Sequence, residues 1–172
     1  LLGGMHKLAE IQRKADAGSI TTFPLGESVT LETAVETSAM HARNIGGILH
    51  GKGDLANEWL VIGGHYDHLG FGYTGTSSQG ELHVGADDNA SGSAAVFGLA
   101  NQLAETYAQT DDSTVRSILF LFFDAEEAGL YGSAAFVEDP IMDLETINVM
   151  INMDMVGRLR DNSLSISGTG TA

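Results

Sequence analysis

Three short apolar runs, each ending abruptly in acids or imidazoles, constrain this chain more than any other feature. Trp59-Leu60-Val61-Ile62-Gly63-Gly64 runs into His65-Tyr66-Asp67-His68. Ser117 to Phe123 runs into Asp124-Ala125-Glu126-Glu127, and Ile147 to Met153 runs into Asp154. Runs of this length suit strands covered on both faces, as in a parallel or mixed sheet held between helices. Helical stretches lie between them. Ser91 to Gln109 brings Ala94, Ala95, Val96, Leu99, Leu103 and Tyr107 to one side, behind an Asp-Asn-Ala-Ser start suited to capping. Leu130 to Glu138 reads as a shorter helix closed by Pro140. The alternation predicts an α/β fold, a three-layer sandwich with a mixed, largely parallel central sheet flanked by helices.

The texture before Trp59 differs. Met5 to Ala15 carries Leu8 and Ile11 among Lys7, Glu10, Arg13 and Lys14, which predicts a short amphipathic helix. Ser28 to Thr37 alternates apolar and polar residues with a period of two, which predicts a half-buried antiparallel strand. His41 to Leu49 is its expected hairpin partner, with a turn near Lys52-Gly53-Asp54. The 172 residues suit one domain, 1–172, with a motif core at about 59–158. With no initiator Met, no signal pattern and no closing helix, the chain reads as an excised piece.

Composition narrows the partners. Eight basic residues face 23 acidic ones, a formal charge of −15, which repels phosphate backbones and anionic lipid. Nucleic acid and membrane are therefore excluded as partners. No apolar run reaches the roughly 18 residues that cross a bilayer. Without Cys there is no disulfide framework, thiolate metal site or thiol nucleophile.

The acids at the run ends need an explanation beyond solvation. Ligands of open α/β sheets bind outside the carboxyl ends of the strands. There His65, Glu126, Glu127 and Asp154 would meet the loop Gly85-Ala86-Asp87-Asp88-Asn89, and so many carboxylates coexist only around a cation. One His with carboxylates and no sulfur suits Zn²⁺, or Mn²⁺ or Co²⁺. More carboxylates than one ion needs point to two ions about 3.5–4 Å apart, bridged by a shared Asp. Asp67, two residues after His65, is placed to take the other ring N–H of that histidine. Of the pair Glu126-Glu127, one acid can bind metal while the other stays free as a general base.

These residues carry a resemblance. Gly64-His65-Tyr66-Asp67-His68-Leu69-Gly70, Gly85-Ala86-Asp87-Asp88-Asn89-Ala90-Ser91-Gly92, Phe123-Asp124-Ala125-Glu126-Glu127-Ala128-Gly129-Leu130-Tyr131-Gly132-Ser133 and Asn152-Met153-Asp154-Met155-Val156-Gly157 are similar, in order, to four motifs of one family. It is the co-catalytic di-zinc aminopeptidase family that also holds glutamate carboxypeptidase. The resemblance implies His65 and Asp154 as terminal ligands of one zinc, Asp88 as the bridge and Glu127 on the second zinc. It implies Glu126 as general base and Asp67 as the partner of His65, with a cis peptide at Asp88-Asn89.

One departure stands out. The family's fifth ligand is a His beyond the fourth motif, whereas this chain has no His after His83 and 18 residues after Asp154. The expectation is a C-terminally truncated catalytic domain holding one zinc, or binding zinc weakly, where a complete site holds two. His68 and His83 read as pocket-edge or hydrogen-bonded residues; either of them, or a neighbouring chain in a homo-oligomer, is available to fill the gap.

The implied function is a zinc-dependent exopeptidase of aminopeptidase type, secreted or periplasmic, acting on peptides with a free terminus. A metal-activated water would attack the scissile carbonyl, with Glu126 taking its proton. The carboxylates would also hold a free α-ammonium. Two other readings remain: a catalytically inactive binding or scaffold module, and a glutaminyl-cyclase-like single-zinc acyltransferase. The intact motifs weigh against the first, and the Asp-Asn-Ala-Ser-Gly stretch against the second.

Overall fold

The computed structural model describes residues 5–19, 30–34, 39, 41–72, 80–159 and 161–168. The chain divides into two units, Leu1–Ala39 and Met40–Ala172. The first holds helix α1 (Met5–Asp16), in which Lys14 Nζ lies 2.9 Å from Glu10 one turn earlier. Arg13 and Lys14 close it, where cations favour the helix dipole. The strand expected at Ser28–Thr37 is a correction over 30–34, which carry no regular structure and are exposed; its other residues lie outside the described set. Period-two patterning makes a strand only where an edge is free to pair. The segment expected to pair with it pairs elsewhere.

That segment is β1 (Ile45–Leu49) of the second unit. It is followed by β2 (Trp59–His65), α2 (Ala90–Gln109), β3 (Ser117–Phe123), α3 (Tyr131–Glu138) and β4 (Ile147–Asn152). The sheet order is β1-β3-β2-β4, with β1 antiparallel to β3, and β2 parallel to both β3 and β4. The expected mixed, largely parallel sheet is present. All seven residues of β3 are buried, and their alternation divides the core. Ile118, Phe120 and Phe122 join Ile62 and the α2 residues Val96, Leu99, Leu103 and Tyr107 on one face. Leu119, Leu121 and Phe123 join Val61 and Phe136 of α3 on the other. Helices therefore cover both faces. Truncating the fully buried Leu119 to Ala would cost about 2–5 kcal/mol.

One expectation of burial needs correcting. β4 is an edge strand among the described residues, and Val149, Met150 and Ile151 stay exposed although their run reads as double-covered. The chain leaves β2 through α2 to β3, then returns past β2 through α3 to β4. The first crossover runs from β2 to β3 and the second runs from β3 back past β2, so the carboxyl ends of β2 and β4 lie side by side, on the edge of the sheet where ligands of such folds bind. His65 ends the first and Asp154 follows the second.

Candidate metal centre

β2 is buried through its last residue, and the His65 side chain is only 3% exposed. Its Nδ1 lies 3.1 Å from the backbone oxygen of Asp67. A carbonyl oxygen only accepts, so Nδ1 carries the proton and Nε2 presents a lone pair. That Nε2 is buried without a hydrogen-bond partner. It lies 3.2 Å from Asp88 Oδ1, 3.6 Å from Asp154 Oδ2 and 4.0 Å from Glu126 Oε2. A lone pair facing three carboxylates is repulsive unless a proton or a metal cation sits among them. Burial alone would lower the His65 pKa, but Glu126 and Asp154 outweigh it and hold the ring above its ordinary value. Donors about 3.3 Å apart are also what tetrahedral zinc requires of nitrogen and oxygen ligands. The residues fit the metal.

A second cluster adjoins the first. His68 Nδ1 and Glu127 Oε1 lie 2.7 Å apart, yet both are buried and neither makes a hydrogen bond. Donor atoms of His68, Asp88 and Glu127 fall within 4.8 Å of one another, as do those of His65, Asp88 and Asp154. Asp88 belongs to both sets.

Asp67 differs in detail from the simple pairing expected of it. It lies beyond the end of β2, and the His65 ring meets its backbone oxygen at 3.1 Å while the carboxylate stands 3.5 Å away. The carboxylate instead accepts the Glu126 N–H at 3.0 Å and the Glu127 N–H at 3.2 Å. One acid thereby ties the loop after β3 to the end of β2. Glu126 faces a cleft of about 140 Å³, also lined by His65, Leu130, Met150 and Asp154. Burial, then the charges of Glu127, Asp154 and Asp67, hold its carboxyl above the ordinary range against the pull of His65.

The loops that present these acids are tightly built. Ala125 and Met155, flanking Glu126 and Asp154, adopt left-handed φ of 54° and 52°. Non-glycine residues held there cluster at functional sites. The Asp88–Asn89 peptide is cis. Gly64 and Gly92 make room for the Met153 carbonyl: a Cβ on Gly64 would come within 2.8 Å of it, and one on Gly92 would overlap it. Asp87 accepts from Gly157 N at 2.9 Å and pairs with Arg158, which holds its carboxyl below the ordinary range.

All six site residues named from the sequence (His65, Asp67, Asp88, Glu126, Glu127 and Asp154) meet at this rim. Two residues make contacts that the sequence does not show. His68 stands against Glu127; its sequence signal is its position three residues after His65, where the chain has left the strand. Asn89 was legible as a helix cap, but nothing in the sequence marks its bond to Met153. His83 lies edge-on to His68, ring centroids 6.3 Å apart, outside both donor sets.

The profile of Peptidase family M28 matches residues 44–172. A protein named glutamate carboxypeptidase 2 homolog, from Caenorhabditis briggsae, is 30% identical over 135 residues, covering 78% of this chain and 16% of that protein. Its namesake from Caenorhabditis elegans is 29% identical over the same length. A leucine aminopeptidase 1 from Coccidioides posadasii (strain C735) is 28% identical over 155 residues, 84% of this chain and 38% of that protein. The chain thus spans well under half the length of these relatives.

Proposed function

Because the chain belongs to Peptidase family M28, we propose that it carries the metal-binding core of a zinc-dependent exopeptidase, of aminopeptidase type, acting on peptides with a free terminus. The observation that carries the reading is the buried, unpartnered His65 Nε2 aimed at Asp88 and Asp154. His65 and Asp154 would hold one zinc, Asp88 would touch both ions, and Glu127 would hold the second. Zinc bound there would supply Lewis-acid polarisation of the scissile carbonyl and would lower the pKa of attacking water.

The chain's own residues do the rest. Asp67 positions the His65 ring, keeping its proton on Nδ1, and fixes the backbone of Glu126 and Glu127. Glu126, facing the cleft and outside both donor sets, takes a proton from water and delivers it to the leaving amine. The acidic rim orients a substrate α-ammonium. Leu130 and Met150 supply apolar wall to the cleft. The motif core works as one catalytic domain, and its site is secreted or periplasmic, a placement resting on the family resemblance. Among the described residues no helix is long and apolar enough to cross a membrane.

Hydrolysis of amino-acid p-nitroanilides and of their N-acetylated forms, with zinc and with chelator, tests the reading. Zinc-dependent cleavage restricted to free amino termini is expected, on this chain or on one extended to the relatives' length. No cleavage by either under any divalent metal would overturn it, and cleavage of carboxy-terminal residues alone would reverse the assigned polarity.

A further inference from the structure

We infer that Asp87 is a positioning residue for the metal site: its carboxylate clamps the segment after β4 to the start of α2 and so aims Asp154 at His65. The inference rests on the metal-centre reading above and adds to it a residue outside both donor sets. Asp154 Oδ2 stands 3.6 Å from His65 Nε2, yet the Asp154 side chain is 42% exposed and makes no hydrogen bond among the described residues. Packing does not aim it, so its direction is set by the backbone that carries it. That backbone turns sharply at Met155, in the left-handed region at a φ of 52°. Such a turn persists where bonds on either side over-determine it.

Asp87 supplies the bonds on the far side of the turn. Its Oδ1 accepts the Gly157 N–H at 2.9 Å, and its Oδ2 pairs with Nε of Arg158. On the near side, Asn89 Oδ1 accepts the Met155 N–H at 3.3 Å. Asp87 is itself fixed to the first turn of α2, where the Ser91 hydroxyl donates to its backbone oxygen at 2.6 Å. The contact leaves no slack: a Cβ on Gly157 would stand 2.8 Å from Asp87 Oδ1 and 2.9 Å from Ser91 Cβ. With both its oxygens taken, Asp87 is not available as a ligand, although it precedes Asp88 directly. The consecutive acids divide the work. Asp88 Oδ1 faces His65 Nε2 at 3.2 Å, while Asp87 faces the loop that brings in Asp154. Of its two bonds, the one to Gly157 does the positioning. The pair with Arg158, whose side chain is half exposed, is of a kind that contributes little.

Two measurements on the whole chain test the inference: zinc affinity by equilibrium dialysis, and the visible spectrum of the cobalt-loaded chain, which reports ligand geometry. Asp87→Ala should weaken zinc binding about 10–100-fold, the usual loss when a group supporting a ligand is removed, and should change the cobalt spectrum. Arg158→Gln should bind as the wild type does. With Arg158→Gln in place, Asp87→Asn should also keep wild-type binding, because its amide oxygen still accepts the Gly157 N–H. Melting in chelator reads folding separately. A merely structural Asp87 would lower the melting temperature and leave affinity and spectrum unchanged, which overturns the inference. A loss in Arg158→Gln or in the double variant equal to that in Asp87→Ala also overturns it, since the charge and not the Gly157 bond would then hold the loop. Should Asp87→Ala fail to fold, Gly157→Ala presses a methyl into the same contact and should show the same loss; wild-type affinity and spectrum there overturn the inference. A wild type that binds neither metal would instead sink the metal-centre reading itself.

Discussion

Asn89 joins the start of α2 to the segment leading into Asp154. Its Oδ1 accepts the Gly92 N–H at 2.9 Å, capping the helix, while its Nδ2 donates to the Met153 carbonyl at 3.0 Å. The side chain is 1% exposed, so water cannot replace either bond. Asp88 and Asp154, one residue before Asn89 and one after Met153, are thereby held at a fixed separation.

Replacing Asn89 with Ala should destabilise the chain by about 2–3 kcal/mol, the sum of a lost cap and a buried carbonyl left unpaired. Urea unfolding should show a lower midpoint with an unchanged slope. Zinc affinity should fall too, because the two acids lose their common brace. A variant as stable as the wild type would show that the brace carries no load.

Gly85 and Gly80 separate two effects of a methyl group. Both have positive φ, but a Cβ on Gly80 meets nothing within 4 Å, whereas one on Gly85 strikes His68. Gly80→Ala should cost only the left-handed penalty of about 1 kcal/mol. Gly85→Ala should cost about 2 kcal/mol or more and also weaken zinc binding. Equal losses in the two variants, with metal affinity unchanged, would mean that the His68 contact yields freely.

Much of this architecture was legible beforehand because its signals are local. The β3 run could be read as double-covered since every residue after Ser117 is apolar, and β2, β3 and β4 each end at a change from apolar residues to acids or an imidazole. The pairing of β1 was not legible: Ile45-Gly46-Gly47-Ile48-Leu49 has no alternation to choose a partner, and the edge it joins, β3, lies some 70 residues on. Nor did the exposure of β4 show, because an apolar run reads alike at an edge and at a centre. At the site, residue types revealed the chemistry of His65, Glu126 and Asp154. The position of His68 against Glu127 depends on the turn at Gly85, a conformational fact that residue types carry only weakly.

Acid should weaken the fold partly through Asp124. Burial alone would raise its carboxyl, but N–H groups of Arg43 and Ala125, each at 2.8 Å, help hold it below the ordinary carboxylate range. A depressed folded pKa contributes stability above the unfolded value of about 3.9, and that contribution is lost as pH falls through the folded value. Asp124→Asn should therefore flatten the acid limb of stability against pH while changing little once pH has fallen below the folded value. An acid limb identical to the wild type would remove Asp124 from the account.

Zinc should stabilise the folded chain by mass action. At free zinc 100 times the dissociation constant the gain is about 2.7 kcal/mol for one site. Thermal melting should rise with zinc and return with chelator, and His65→Ala should abolish most of the response. Binding should also strengthen as pH rises through the histidine range, since the imidazoles must shed their protons to coordinate. A melting temperature indifferent to zinc at millimolar concentration would rule out tight binding.

Glu126 provides the sharpest separation of chemistry from binding. It faces the cleft beside His65 but belongs to neither donor triplet. Glu126→Gln keeps the shape and the hydrogen-bonding reach while removing the proton acceptor. Zinc content should therefore stay at the wild-type level, and KM should change little. The kcat should fall by about 10²–10⁴, the usual contribution of general acid–base catalysis. A parallel loss of zinc would move Glu126 into the ligand set, and an unchanged kcat would leave proton transfer to another group on the rim.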